Sequence, residues 1–152
     1  MEIWVDADAC PGVIREIIAK AAHKRAINTM FVANHSFSLR KSPHVQLYQV
    51  PSGFDEADRE IERRVNEGDL VITADIPLAS DVLRKAALVM TPRGDRYTEH
   101  NIKQRLQMRD FMETMRSSGE YTGGPSALNH TDIKHFSDEL DRLLTRVQRI
   151  QT

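Results

Sequence analysis

The chain contains one cysteine, Cys10, so it has no intrachain disulfide framework, and that usage fits a reducing compartment. It has almost no charge excess either: a net charge of −1 provides no global attraction to nucleic acid or to an anionic membrane. Affinity for phosphate must therefore come from a local patch. No apolar run approaches the ~18 residues of a membrane span. A secretory signal is not indicated, because Asp6 interrupts the apolar start and no basic segment precedes it. Internal repeats and low-complexity tracts are missing. So are the patterns GxxxxGK[ST], GxGxxG and GxSxG, which argues against P-loop, dinucleotide-binding and hydrolase-elbow sites. The six histidines show no HxH or HExxH spacing, and a zinc site is unsupported. What remains is a cytoplasmic globular protein with no membrane partner. With 152 residues, 40% of them hydrophobic and 28% charged, it is expected to fold as one domain over residues 1–152.

Short β-like runs occur at Ile3–Val5, Thr29–Ala33, Val45–Val50, Leu70–Thr73 and Leu88–Met90. Helical periods lie between them: Val13, Ile14, Ile17, Ile18 and Ala21 after Pro11; Ala57, Ile61 and Val65 after Phe54; Ala79, Val82, Leu83 and Ala86 after Pro77. Strands alternating with helices predict βαβ units on a mainly parallel sheet of about five strands. "LVIT" is apolar without alternation, as in a strand buried on both faces. "NHSFSLRKSPH" is the least regular connection. Two further helices follow, one carrying Ile102, Leu106, Phe111, Met112 and Met115 and the other Ile133, Phe136, Leu140, Leu143, Leu144, Val147 and Ile150. The methionines read as core filler, and "SSGEYTGGPS" as a turn-rich connector.

The chemistry concentrates in acids. Ligands of open parallel sheets bind beyond the carboxyl ends of the strands, and there the sequence places Asp6 and Asp8 after the first strand and Asp75 after the fourth. Residues two apart in an extended segment share a side, so Asp6 and Asp8 can face one ligand. Their mutual repulsion would be relieved by a hard divalent ion such as Mg²⁺. Helix capping is the competing reading, because Asp accepts backbone N–H bonds at helix starts. It suits Asp55 best, weighs evenly against function for Asp58 and Asp75, and fails for Asp6, which is still attached to its strand. Asp81, inside a helix, reads as a solvated charge.

Cys10 precedes a helix start, where the dipole lowers a thiol pKa, but adjacent carboxylates raise it. Four residues separate it from Arg15, one short of the Cys-loop phosphatase pattern, so it is read as a small buried or capping residue. "TPRGDRYTEHNIKQRLQMR" carries five Arg or Lys against two acids. Arg93, Arg96 and Lys103 are its candidate phosphate-holding residues, and Tyr97 is a candidate to stack on a base. Asn34-His35-Ser36 reads as loop with a polar contact to offer, and Gly123-Gly124-Pro125 as a turn.

Together "WVDADACP", "FVAN", "GFDEADREI", "GDLVITADIPLA", "PRGDRYT", "NIKQRLQMRDFM" and "TGGP" resemble the YaiI/YqxD family of uncharacterised bacterial proteins over nearly the whole chain. That family is grouped with PIN-like domains, whose relatives are metal-dependent ribonucleases. The resemblance implies a PIN-like three-layer α/β sandwich with additional C-terminal helices. It matches Asp6 to the aspartate ending the first strand, Asp58 to the helix aspartate before the fourth, and Thr73-Ala74-Asp75 to a Thr-x-Asp signature. Asp8 is an extra acid of the family motif. A mid-sequence glutamate of the PIN pattern has no counterpart here, and Asp81 is a loose candidate for the fourth acid. The leading expectation is a Mg²⁺- or Mn²⁺-dependent phosphodiesterase acting on RNA. Asp6, Asp8 and Asp75 would bind metal, and Asp58 would be a ligand or water-orienting base. Two alternatives stay open. One is a non-catalytic RNA- or protein-binding module on the same scaffold; the other is a haloacid-dehalogenase-like phosphatase with Asp6 as nucleophile.

Overall fold

The two hydrophobic periods of the sequence sort into sheet and helices as expected. In the computed structural model, which describes residues 1–53, 55–117 and 127–151, the apolar runs form β1 (Ile3–Asp6), β2 (Thr29–Ala33), β3 (Val45–Gln49), β4 (Leu70–Ile72) and β5 (Leu88–Met90). A sixth strand, β6 (Arg96–Tyr97), was not expected; two residues are too few to leave a periodic signal. The strands lie in the order β3-β2-β1-β4-β5-β6, all parallel except β6, which runs antiparallel to β5.

The helices are α1 (Gly12–Arg25), α2 (Glu56–Arg64), α3 (Ile76–Leu83), α4 (Glu99–Ser117) and α5 (His130–Gln151). Strand alternation assigns their sides. Ile3, Val5, Phe31, Leu70 and Ile72 pack with α1 and α5 through Ile14, Ile18, Phe136, Leu140 and Leu144. Trp4, Val32, Val71 and Val89 pack on the opposite face with Ile61 of α2, Leu78 and Val82 of α3, and Ile102 of α4. The result is a three-layer α/β/α sandwich whose central strands are buried on both faces.

The 34–44 connection holds no helix. Phe37 anchors it, edge-on to Phe31 at 6.5 Å between ring centroids, with the Arg15 guanidinium 4.0 Å from the Phe37 centroid. Another difference concerns α4. Phe111, expected in the core, is 57% exposed, as is Met108 at 53%. The reason is length: α4 has 19 residues and packs on α3, which has eight. At 1.5 Å per residue, its second half outruns its partner. "SSGEYTGGPS", including Gly123-Gly124-Pro125, lies outside the described residues but for Ser117. Among the described residues no helix is long and apolar enough to cross a membrane.

Candidate functional site

The chain runs outward from β1 through β2 to β3, then returns to place β4 on the other side of β1. Between β1 and β4 the order reverses, and at such a switch point the helices diverge and leave a crevice at the carboxyl edge. Asp6 is the last residue of β1 and Asp75 lies three residues beyond β4. Thr73 joins them: its hydroxyl donates to Asp6 Oδ2 at 2.9 Å and accepts from the Asp75 backbone N–H at 3.0 Å. Asp6 is only 7% exposed. Burial pushes its carboxyl above the ordinary range, the Thr73 bond pulls it back, and the charges of Asp75 and Asp8 push it up again.

Asp75 caps α3, with Oδ1 accepting from the Leu78 N–H at 2.8 Å. Capping and site membership are therefore compatible in this residue. Asp58, on the first turn of α2, completes the group. Its pKa is pushed up to about 7, first by burial, then by the charges of Asp75 and Asp6 and by a hydrogen bond shared with the Asp75 carboxyl. The raised value keeps much of Asp58 protonated near neutral pH. Among the described residues, none of Asp6, Asp58 and Asp75 pairs with a Lys or Arg.

Asp55 does not make the expected cap. It sits at the N-cap of α2 in the left-handed region, φ 62°, without a side-chain bond to the helix. It instead lines a cleft of about 380 Å³ with Asp58, Asp75, Asp81, Arg59 and Arg109, among others. Asp81 also meets Arg84 at 3.0 Å. Sequence reading passed over Arg59, and it took Arg109 only as one charge of a basic run. Arg59 adjoins Asp58 on α2, a neighbourhood that was visible. Arg109 is 34 positions beyond Asp75, and only the packing of α4 on α3 brings it there.

Asp8 turns away from this group. Its Oδ2 accepts from the Asn34 backbone N–H at 2.8 Å, and its Oδ1 lies 2.7 Å from His35 Nδ1. The Asn34 side chain, oriented to satisfy both its amide atoms, also donates to Asp8 at 3.3 Å. The candidate phosphate holders are dispersed. Arg93 pairs with Asp132 of α5 at 2.9 Å. Arg96 donates to the Val89 carbonyl at 3.2 Å; burial and the nearby Arg146 lower its pKa, against the pull of Glu139. Gly94, at φ 90°, lets this turn approach α5, since a Cβ there would stand 3.0 Å from the Phe136 backbone. Lys103 is exposed on α4, and Tyr97 is buried with Arg105 near its ring. Cys10 is buried in the core and its thiol is pushed up to about 12, chiefly by burial, which makes it inert.

The donor set at the crevice is one of hard oxygens, suited to Mg²⁺ or Mn²⁺. Among the described residues no three His, Cys, Asp or Glu side chains are already gathered as a metal site. The fit is to an ion held by one or two carboxylates with water completing its shell, as Mg²⁺ commonly is.

No solved structure matches the chain. Several curated bacterial relatives match nearly end to end. A UPF0178 protein of Shewanella loihica is 56% identical over 98% of this chain and 99% of its own length. Another, of Colwellia psychrerythraea, is 54% identical over 99% and 100%, and one of Marinobacter nauticus is 55% identical over 98% and 99%. The family model described as "Uncharacterized BCR, YaiI/YqxD family" matches residues 4–146. The chain belongs to the YaiI/YqxD family.

Proposed function

We propose that this protein is a divalent-cation-dependent phosphodiesterase of the cytoplasm, with a PIN-like scaffold and RNA as substrate. One observation carries the reading: Asp6, Asp58 and Asp75, from three different elements, converge at the switch point, and among the described residues none of them is ion-paired with a Lys or Arg. Crowding carboxylates in a half-buried crevice costs stability, and a site that binds cations or moves protons is a reason to keep them. Asp6 and Asp75 would hold a Mg²⁺ or Mn²⁺ ion. When bound, that ion supplies an acidified water and offsets charge developing on the phosphate. Thr73 keeps Asp6 and the Asp75 backbone in register, so the donors need little rearrangement. Asp58, whose pKa is pushed up to about 7, would orient an attacking water and take its proton. Arg59 and Arg109, on the cleft wall, are suited to hold the phosphate oxygens.

The test is titration calorimetry with Mn²⁺, paired with cleavage of a single-stranded RNA. The wild type should bind Mn²⁺ and cleave, and Asp6→Asn should lose both while its thermal unfolding is retained. RNA binding without Mn²⁺ binding would instead identify a non-catalytic module. A phosphoenzyme trapped on Asp6 would identify a phosphatase.

A further inference from the structure

We propose that Asp8 and His35 form a dyad that reads the ribose 2′-hydroxyl, making His35 a determinant of RNA over DNA; the inference rests on the RNA-directed reading above. Asp8 was expected to join the metal ligands, but both its oxygens are committed to the loop after β2, at 2.8 Å to the Asn34 N–H and 2.7 Å to His35 Nδ1. A carboxylate accepts and does not donate, so it takes the imidazole N–H at Nδ1. In a neutral ring the other nitrogen, Nε2, is then an acceptor. Among the described residues Nε2 has no hydrogen-bond partner, and the His35 side chain is 58% exposed while Asp8 behind it is 25% exposed.

The ring is held from its flank as well. Phe37 stands 5.7 Å from it, centroid to centroid, and Phe37 is itself covered by the Arg15 guanidinium at 4.0 Å. An ordinary surface ion pair does not have this support, because two mobile side chains lose entropy to meet. Here a backbone donor fixes the carboxylate and a ring supports the imidazole.

Position supplies the ligand class. Asp6 is paired in register with Val32 of β2, and Asn34 and His35 follow just beyond that strand. The dyad therefore lies on the same carboxyl edge, beyond β2, the strand that flanks β1 on the side away from β4. Asp8 remains close enough to act on the charge of Asp6. On the RNA-directed reading, a nucleotide whose phosphate sits in the crevice would direct its sugar along this edge, toward the dyad. A lone acceptor there fits a hydroxyl donor, and the 2′-hydroxyl is the group that distinguishes RNA from DNA.

The experiment measures anisotropy of a fluorescein-labelled single-stranded 12-mer RNA and its deoxyuridine-containing DNA counterpart at pH 8, with Ca²⁺ replacing the catalytic ion. The wild type should bind RNA about tenfold more tightly, the scale of one hydrogen bond. His35→Ala should lose that tenfold on RNA and nothing on DNA. Asp8→Ala should do the same as a positioning change, with no further loss in the double variant. Asp8→Glu should restore part of the preference. Thermal unfolding of each variant establishes that it folds. Equal losses on RNA and DNA, no loss, or no nucleic-acid binding by the wild type would each overturn the dyad. A large loss of Mn²⁺ affinity in Asp8→Ala would also overturn it, by returning Asp8 to the ion's ligands. Mn²⁺ binding and cleavage that survive in His35→Ala while the RNA preference is unchanged would sink the dyad and leave the phosphodiesterase reading intact.

Discussion

Two aspartates are buried at opposite edges of neighbouring strands, and the fold treats them differently. Asp69, just before β4 at the amino edge, is 4% exposed and accepts three hydrogen bonds. The donors are the backbone N–H groups of Glu2 and Asn66, both at 2.9 Å, and the Trp4 indole at 3.0 Å. It clamps the start of β1 to the start of β4. Asp6, at the carboxyl edge of β1, is 7% exposed, accepts from one hydroxyl, and has acids for neighbours. Burial alone therefore does not mark a functional carboxylate. The difference lies in what surrounds it: donors enough to satisfy the charge in one case, further negative charge in the other.

The largest effect follows from this contrast. Asp69→Ala strands the buried Trp4 indole, at about 1–3 kcal/mol, and removes the acceptor of two part-buried backbone donors at a smaller cost each. The variant should lose about 4 kcal/mol and its midpoint should fall by roughly 10 °C. Asp6→Asn removes a buried charge while leaving an oxygen for Thr73, so at pH 8 it should be unchanged or about 1 kcal/mol more stable. Urea denaturation of both at pH 8 measures the gap. Equal losses would erase the distinction between clamp and site.

Most of the scaffold was legible because each strand and helix carries its own period. The apolar runs at Ile3–Val5 and Leu70–Thr73 and the periods after Pro11 and Pro77 became β1, β4, α1 and α3. β6 was not legible, since its pairing with β5 is made by tertiary contact. At the site, Asp6 and Asp75 could be located because one ends β1 and the other closely follows β4, its parallel neighbour. The partners of Asp8 were not legible: the two-residue rule holds while a strand continues, but β1 ends at Asp6 and the chain turns, which brings Asp8 to Asn34 and His35. The arginines show the same limit. Arg93 and Arg96 stand close to the site in sequence terms, yet one pairs with α5 and the other with a strand carbonyl. Arg109, from the far part of the same run, lines the cleft.

The second prediction concerns Asp58, a site carboxyl with no counterpart at the Asp69 clamp. Its pKa is about 7 in the folded protein and near 4 when unfolded, so between those values the native state holds more of the proton. Stability therefore falls as pH rises from about 4 to about 7 and levels off above. Asp58→Asn should remove that part of the slope. Discounted for partial exposure, it should gain about 1–2 kcal/mol at pH 8 and little at pH 4. Thermal unfolding at the two pH values checks it, and a gain of the same size at both would mean the charge is not responsible.

The smallest effect tests the one side-chain donor that Asp6 has among the described residues. Thr73→Val keeps the shape of the residue and deletes the hydroxyl that serves both Asp6 and the Asp75 backbone N–H. Losing the bond to Asp6 raises that carboxyl's pKa further, because the hydroxyl favours its charged form. The cost should be about 1 kcal/mol at pH 8 and should shrink toward pH 4, where Asp6 takes up a proton instead. Thr73→Ser, which restores the hydroxyl, should recover most of it. A loss independent of pH would place the role of Thr73 in the Asp75 turn alone. Asp6 would then be a buried carboxylate with no effective donor, still further from the fully satisfied Asp69.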